Sequence, residues 1–505
     1  MSSALKPDST GVPERNGETT WRPSRPDRSR RLYRSVRQPG AAAARDNESQ
    51  PAVEPESVPP TARLGPDRAG AMAPITGLRW VISLWIVLLH TSFGAICADI
   101  AGRYVAIGGY HAIAGHFIAA LGRIVAFAFA GTSIFLVLGG YALAVGTLDP
   151  DHGNMTRSTA SLWRSRLLRF MPLLVVTQAL RIPQFLLHHG QRPWTDVGAS
   201  IVVNLFGQQA WFPTYVWDLN DPSWTMSVLL ASWALFPWIG PRLAQLPRRT
   251  ALMALMGCIA YSLAVASALL VFHGQANPDY TATDYWLSFV HANPLVRLPE
   301  FMAGVLLARV HRGYAEWIAM RARYLLATGV LALLASCAAN GVLVPYVLLH
   351  NGLVVPIACL LYLGLTEFGV RVRVGDAADR HSRLDRHGLA LARWLSKPSF
   401  QRFGGAAFAL YLLHAVPMAT LIVSRNWISG RPLLYGGRPV GSSIAELGLA
   451  LLYCAISALV SVRIHERALV PFTRWIRDRV LRRTRPTRAR ATASTQDWPL
   501  PQEVI

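Results

Sequence analysis

The amino-acid sequence predicts an all-α fold: a polytopic integral membrane bundle of about ten transmembrane helices, with both termini in the cytoplasm. Of the 505 residues, 52% are hydrophobic and only 15% are charged, and the mean hydropathy is +0.28. A soluble protein carries about 25% charged residues. Apolar runs long enough to cross a bilayer recur along most of the chain, and such a run satisfies its own backbone hydrogen bonds as a helix.

The distribution of arginine favours the same topology. The formal net charge of +22 by itself also fits a protein that binds nucleic acid. The arginines, however, lie in the two tails and in alternate short loops, as in the cytoplasmic segments of a membrane protein. We therefore expect a multi-pass protein of the cell membrane with membrane lipid, and no nucleic acid, as a partner.

Composition divides the chain into three parts. Residues 1–70 are rich in Pro, Ser, Arg and Gly and have few large apolar residues, which predicts a disordered basic tail. This tail has no apolar core segment of a secretory signal peptide. Residues 71–473 form the predicted transmembrane domain, and residues 474–505 form a basic cytoplasmic tail.

Ten apolar segments account for the transmembrane domain. They lie at 74–93, about 122–146, from about 170, and at about 223–240, 251–273, 295–310, 324–341, 343–367, 403–424 and 443–463. With both ends inside, this order places almost all basic loops on one side of the membrane. The segment 96–121 is then an external loop, and 198–212 is external or re-entrant structure at the interface, where aromatic residues collect.

The first span carries two groups that a membrane helix avoids, Arg79 and His90. Eleven positions are close to three helical turns, so both side chains project from nearly the same face, about 16 Å apart along the axis. Because an ionisable group costs several kcal/mol in hydrocarbon, this face is expected to point to other helices or to a cavity. His90 is then either a hydrogen-bonded histidine between helices or a base that takes a proton from a hydroxyl group.

The cysteines indicate neither a metal site nor a disulfide framework. They are scattered, most of them within apolar segments, at Cys97, Cys258, Cys337, Cys359 and Cys454. No paired spacing occurs, so they are expected to be small core residues. The sequence implies no bound metal or cofactor.

Several motifs occur together in a fixed order. They are GTSIFLVLGGYALA in the second span, SRLLRFMP in the third, PSWTMSVLLASWALFP in the fourth, RLPEFMAGVLLA in the sixth, LSKPSFQRFGGAAFALYLLHAVP in the ninth and IHERALVP after the tenth. With the Arg79–His90 pair, they resemble the acyltransferase-3 family of integral membrane enzymes, which O-acylate sugars, glycans and macrolides. The resemblance covers about residues 74–472.

The resemblance implies two catalytic residues. His90 would be the general base on an acceptor hydroxyl group. Arg79 would hold the acyl donor or an acidic partner, since a guanidinium is a permanent bidentate donor. Arg166 and Arg169 match the family's basic pair and would bind the phosphates of acyl-CoA, although a topology signal explains this pair equally well.

Five further residues are expected to bind substrate or donor, namely Trp224, Ser227, Glu300, Tyr411 and His414. Trp224 and Ser227 match a Trp-x-x-Ser pattern of the family and would be wall residues. For Glu300, the alternative to a catalytic role is a structural ion pair with Arg297 or another arginine. Tyr411 and His414, three positions apart on one helix face, would line the same cavity.

The resemblance implies transfer of an acyl group, acetyl or another short chain, from acyl-CoA as co-substrate. The acceptor would be a hydroxyl of a sugar, a cell-surface glycan or a glycosylated metabolite. Three positions depart from the family pattern by losing polar groups, at Gly139, at Leu229 and at Ala407-Phe408. There are two alternatives to an active acyltransferase. One is a transporter or flippase of a lipid-linked or polar substrate, and the other is a catalytically degenerate family member.

Overall fold

Helices make up the described part of the chain in this computed structural model. The described residues are 71–187, 190–273, 285–340, 342–375, 382–417 and 444–484. They contain no β-strand, only isolated bridges between Leu148 and Met155 and between Asn340 and Val344. The predicted tail 1–70 and the end of the predicted C-terminal tail, 485–505, lie outside the described residues.

The helices are numbered in chain order. They are α1 (Ala73–His90), α2 (Phe93–Ile107), α3 (Gly109–Ala126), α4 (Ala130–Thr147), α5 (Thr159–Leu187), α6 (Trp194–Leu205), α7 (Trp224–Gln245), α8 (Arg248–His273), α9 (Tyr285–Ala292), α10 (Pro294–Gly313), α11 (Ala315–Ala339), α12 (Tyr346–Arg373), α13 (Arg383–Leu395), α14 (Pro398–Leu413), α15 (Ile444–Ile464) and α16 (Val470–Thr484). Helix α12 is kinked at Leu349–Leu353, where Asn351 and Gly352 have non-helical backbone angles. A π-helical turn, His465–Leu469, joins α15 to α16. The first residues of the predicted C-terminal tail are therefore helical.

Seven stretches of the described chain are long and apolar enough to cross a membrane, which confirms an all-α protein with several candidate spans. Five of them are the single helices α1, α5, α8, α11 and α12. The other two are Gly109–Thr147, which contains α3 and α4, and Ile444–Ile476. The other predicted spans coincide with α7, α10 and α14, except that 418–424 lie outside the described residues. The total of about ten spans stays a prediction.

The segment 96–121 is a helical hairpin, so the predicted loop there was wrong. Helices α2 and α3 are joined at Gly108 and Gly109, whose φ angles are +81° and +56°. Glycine adopts this left-handed region without a steric penalty. The two helices then approach so closely that a Cβ on Gly122 would lie 2.8 Å from the Cβ of Cys97. Packing between small residues thus turns a segment without turn-forming polar residues into a hairpin.

Helices α4 and α10 form a tight contact in the centre of the bundle. A Cβ on Gly140 would lie 1.9 Å from the carbonyl oxygen of Phe301, and a Cβ on Gly304 would lie 1.9 Å from that of Val137. Both glycines therefore let the two backbones touch, which is a common way for membrane helices to associate. The contact fixes the face that α4 turns to the other helices.

Helices α1 and α14 run side by side in the same direction. A Cβ on Gly404 would lie 2.3 Å from the Thr76 carbonyl oxygen. Further along, the Ser83 hydroxyl donates to the Ala407 carbonyl at 3.3 Å. This register brings the C-terminal ends of the two helices together, and with them the two predicted histidines.

The amphipathic helix α13 is attached to the bundle through a buried carboxylate. Asp385 accepts hydrogen bonds from Ser382 at 2.7 Å, from Arg323 at 2.8 Å and from Arg371 at 3.0 Å. Burial alone would raise the pKa of Asp385, but these hydrogen bonds prevail and hold that pKa below its usual value. The ionised carboxylate thus ties α13 to α11 and α12.

Candidate active site

A cavity of about 930 Å³, counted with the space at its open end, lies between α1, α4, α5, α7 and α14. Along α7 its wall runs from Thr225 through Leu229 to Trp233, which is a length of about 12 Å. The Thr225 hydroxyl donates to the Tyr411 hydroxyl at 3.2 Å. At the other end, the Phe170 ring packs on Trp233 with centroids 4.9 Å apart. The cavity therefore extends from α5 to Tyr411.

The two ends of this cavity differ in chemistry. Arg79 and Arg166, the latter one turn before Phe170, are the charged residues of its wall. The middle is apolar, with Phe135, Leu229 and Phe408 among its residues. The lining near Tyr411 carries hydroxyl groups, those of Ser83, Thr132 and Thr225. The cavity is therefore suited to a ligand that has an anionic part and an apolar part.

Arg79 lies in a positive environment. It forms no hydrogen bond or ion pair with the described residues, and Arg169 is the charged side chain that acts on it electrostatically. Arg169 stacks its guanidinium on Phe170, 5.6 Å from the ring centroid. Two like charges close together in a low-dielectric site repel each other unless an anion lies between them. This end of the cavity is therefore suited to an anionic group.

His90 and His414 contact each other, although 324 positions separate them in the chain. Nδ1 of His90 lies 3.2 Å from Nε2 of His414, and it also lies 2.9 Å from the carbonyl oxygen of Ile86. Nδ1 of His414 lies 3.1 Å from the carbonyl oxygen of Leu410. The sequence predicted both residues as site residues, but it did not predict that they touch.

The carbonyl contacts assign the proton positions in this pair. A carbonyl oxygen only accepts, so Nδ1 carries the hydrogen atom in both rings. His414 Nε2 is then an acceptor for the His90 Nδ1–H group, which it shares with Ile86. Among the described residues, His90 Nε2 is left as the basic nitrogen of the pair without a hydrogen-bond partner.

Tyr411 separates the cavity from the histidine pair. Its hydroxyl donates to the Pro222 carbonyl at 2.8 Å, and its ring centroid lies 6.3 Å from that of His414. Tyr411 lines the cavity, whereas His90 and His414 do not. Among the cavity-lining residues, Tyr411 is thus one whose ring neighbours the histidine pair.

Glu300 belongs to a separate buried cluster. Its Oε1 lies 2.9 Å from Nη1 of Arg297, and the two side chains are 1% and 0% exposed. Arg297 also donates to the His350 carbonyl and to Ser133 Oγ, at 2.8 and 2.9 Å. The Trp224 ring centroid lies 5.6 Å from the Arg297 guanidinium. The ion pair that the sequence offered as the structural alternative for Glu300 is thus present, and neither Glu300 nor Trp224 lines the cavity.

Helix α7 turns a different face to the cavity from the one that the sequence indicated. Ser227 is fully buried. It accepts a hydrogen bond from the Ala210 backbone N–H at 3.2 Å and donates to Gln209 at 3.3 Å. Thr225 lines the cavity instead. Sequence reasoning missed this residue, and the signal was its place one position after the Trp-x-x-Ser tryptophan.

The three departures from the family pattern meet on one surface. Gly139, Leu229, Ala407 and Phe408 all line the cavity. They come from α4, α7 and α14, which are far apart in the chain. The absence of polar side chains at these positions therefore makes the middle of the cavity apolar.

Comparison with known proteins identifies the class of enzyme. A family model described as an acyltransferase domain, that of the acyltransferase-3 family, matches residues 73–465. Since the match covers most of the chain, this protein belongs to the acyltransferase-3 family and is a membrane acyltransferase.

A curated relative and the solved structures complete the comparison. The chain is 26% identical over 398 residues to acyltransferase MdmB of Streptomyces mycarofaciens, which covers 78% of this chain and 90% of that protein. No solved structure matches. The roles of the individual site residues stay predictions.

Proposed function

We propose that this acyltransferase moves an acetyl or other short acyl group from acyl-CoA to a hydroxyl of a sugar, cell-surface glycan or glycosylated metabolite. The observation that carries the proposal is the histidine pair. His90 has its Nδ1–H held by Ile86 and His414, so that Nε2 is the nitrogen available as a base. A neutral imidazole with a fixed tautomer is what general-base catalysis on a hydroxyl group needs.

The cavity supports the choice of donor. Acyl-CoA consists of a phosphate-bearing nucleotide, an uncharged amide chain and a thioester. The cavity offers guanidinium groups at one end, from Arg79 and Arg166, and an apolar middle. Guanidinium groups bind phosphates well because the planar guanidinium fork donates two charge-assisted hydrogen bonds to phosphate oxygens. In this arrangement the thioester lies near Tyr411.

The reaction then follows from the positions of these groups. His90 Nε2 takes the proton of the acceptor hydroxyl as its oxygen attacks the thioester carbonyl. A C–O bond forms, the C–S bond breaks, and the CoA thiolate takes the proton back from His90. Burial excludes water, which would otherwise hydrolyse the thioester. Tyr411 must rotate away from Pro222 for the thioester and the histidine to meet.

The proposed topology places the two substrates on opposite sides. The Arg-lined end of the cavity faces the cytoplasm of a cell-membrane protein, where acyl-CoA is made, in keeping with the positive-inside bias. His90 ends α1 at the other side. The acceptor therefore approaches from outside, while the donor enters from inside.

An acylation assay tests this function. Membranes that contain the wild type, His90→Ala or the control His111→Ala receive radiolabelled acetyl-CoA, and label is measured in the glycan and small-molecule fractions. His111 is an exposed histidine on α3. We expect transfer by the wild type and by the control, and a loss of about 100-fold or more in well-expressed His90→Ala. Equal label in all three would remove His90 from the chemistry.

A further inference from the structure

The π-helical turn His465–Leu469 has no part in the function proposed above, although the sequence motif IHERALVP contains it. It interrupts an otherwise continuous helix from α15 to α16. Turns of this kind are rare, and they are frequent at functional sites because they redirect side chains. The first residue of the turn is His465.

His465 lies against α14 at a glycine. Its Nε2 is 3.5 Å from the place where a Cβ on Gly405 would be. The adjacent Gly404 packs on α1 at Thr76. The imidazole therefore reaches over the surface of α14 next to the start of α1, which is the end of the bundle that holds Arg79.

Two arginines from other helices act on His465. Arg169 of α5 and Arg79 of α1 are both close enough to interact with it electrostatically. The carboxylate of Glu466, its chain neighbour, also acts on it. That carboxylate, however, is bound in a bidentate manner by Arg402 of α14, with Nη2 to Oε2 at 2.6 Å. Helices α1 and α5 and the π turn thus bring Arg79, Arg169 and His465 together at one end of the cavity.

Such a group of donors is suited to an anion. Guanidinium groups at short range repel each other in a site of low dielectric constant, and Arg79 has no carboxylate partner among the described residues. A phosphate group placed between them would accept several charge-assisted hydrogen bonds. An imidazole N–H adds a directional donor to the two guanidinium groups.

We propose that His465 is a ligand of the donor's phosphate groups. With Arg79 and Arg169 it forms an anion subsite at the Arg79 end of the cavity, and this subsite takes the phosphate-bearing part of acyl-CoA. The π turn is the element that directs His465 into this subsite. The inference rests on the proposed function, because it assumes that the donor is acyl-CoA.

Equilibrium binding without turnover tests the subsite. The purified full-length chain in phosphatidylcholine nanodiscs, which supply no anionic lipid as a competing phosphate, is titrated with CoA, dephospho-CoA and pantetheine. The variants are His465→Ala, His465→Arg and the control Arg467→Ala, an exposed residue of the same π turn. We expect His465→Ala to weaken CoA binding about tenfold, with pantetheine binding unchanged, His465→Arg restored and the control like the wild type.

The ligand series locates the phosphate. A loss that disappears with dephospho-CoA assigns His465 to the 3′-phosphate, and one that persists assigns it to the pyrophosphate; both support the subsite. Unchanged CoA binding in His465→Ala, no CoA binding by the wild type, or an equal loss for pantetheine would overturn it. If His465 governs CoA binding but no acyl group is transferred, the proposed function alone fails.

Discussion

The histidine pair makes a quantitative prediction about His414. Its Nε2 accepts a hydrogen bond from His90 Nδ1–H at 3.2 Å, but Ile86 accepts from the same group at 2.9 Å. Removing the His414 acceptor therefore leaves the tautomer of His90 in place and loses one shared hydrogen bond. Such a bond contributes about 0.5–1.5 kcal/mol, which corresponds to a decrease in kcat of roughly 2- to 13-fold. Loss of the base itself would decrease kcat about 100- to 10,000-fold.

The assay compares His414→Leu, His414→Gln and His90→Ala in acyl transfer from acyl-CoA, with thermal unfolding as the test of folding. Leucine removes the acceptor at similar side-chain size, whereas glutamine restores an acceptor oxygen. The Tyr453 hydroxyl donates to the backbone carbonyl of His414. We expect every variant to keep this hydrogen bond, because it does not involve the side chain at this position. We expect His414→Gln to lie above His414→Leu in kcat, with KM for acyl-CoA unchanged. A folded His414→Leu variant as inactive as His90→Ala would refute the assignment of His90 as the base.

Three further predictions concern stability. Gly140→Ala should destabilise the bundle by about 1–3 kcal/mol, because the new Cβ would clash with a backbone carbonyl of α10. Gly139→Ala should change the stability little, because its new Cβ would lie at ordinary van der Waals distance from its neighbours. Arg297→Met should destabilise by about 3–5 kcal/mol, because it leaves the Glu300 carboxylate buried without its partner, and adding Glu300→Leu should recover much of that loss. Asp385→Asn should destabilise by about 1–3 kcal/mol at neutral pH. A folded-state pKa below the unfolded value stabilises above the unfolded pKa, so this difference should shrink as the pH falls through the lowered pKa.

Thermal unfolding in one detergent measures all three. Equal unfolding temperatures for the Gly139 and Gly140 variants would contradict the α4–α10 contact. If the double variant Arg297→Met, Glu300→Leu unfolds at a lower temperature than Arg297→Met alone, the unpaired Glu300 charge is not the main cause of the destabilisation. If the difference in unfolding temperature between the wild type and Asp385→Asn did not change with pH, the Asp385 carboxylate would not need to be ionised to stabilise the fold.

The sequence by itself determined the helical membrane fold and the enzyme family. Runs of apolar residues specify helices locally, since each helix forms its own backbone hydrogen bonds. The spacing of Arg79 and His90 on one face also follows from helix geometry alone. The family motifs could be seen because they are contiguous in the chain.

The tertiary structure alone decided which side chains meet. Nothing in the sequence distinguishes Gly404 from the many other small residues. Its contact with Thr76, however, sets the register of α14 on α1. That register brings His414 to His90 across 324 positions. The same holds for α7, where Thr225 rather than Ser227 faces the cavity, because helix periodicity fixes the relative directions of side chains but not the rotation of the whole helix. Rotation and register come from close packing between distant segments, and no local pattern encodes them.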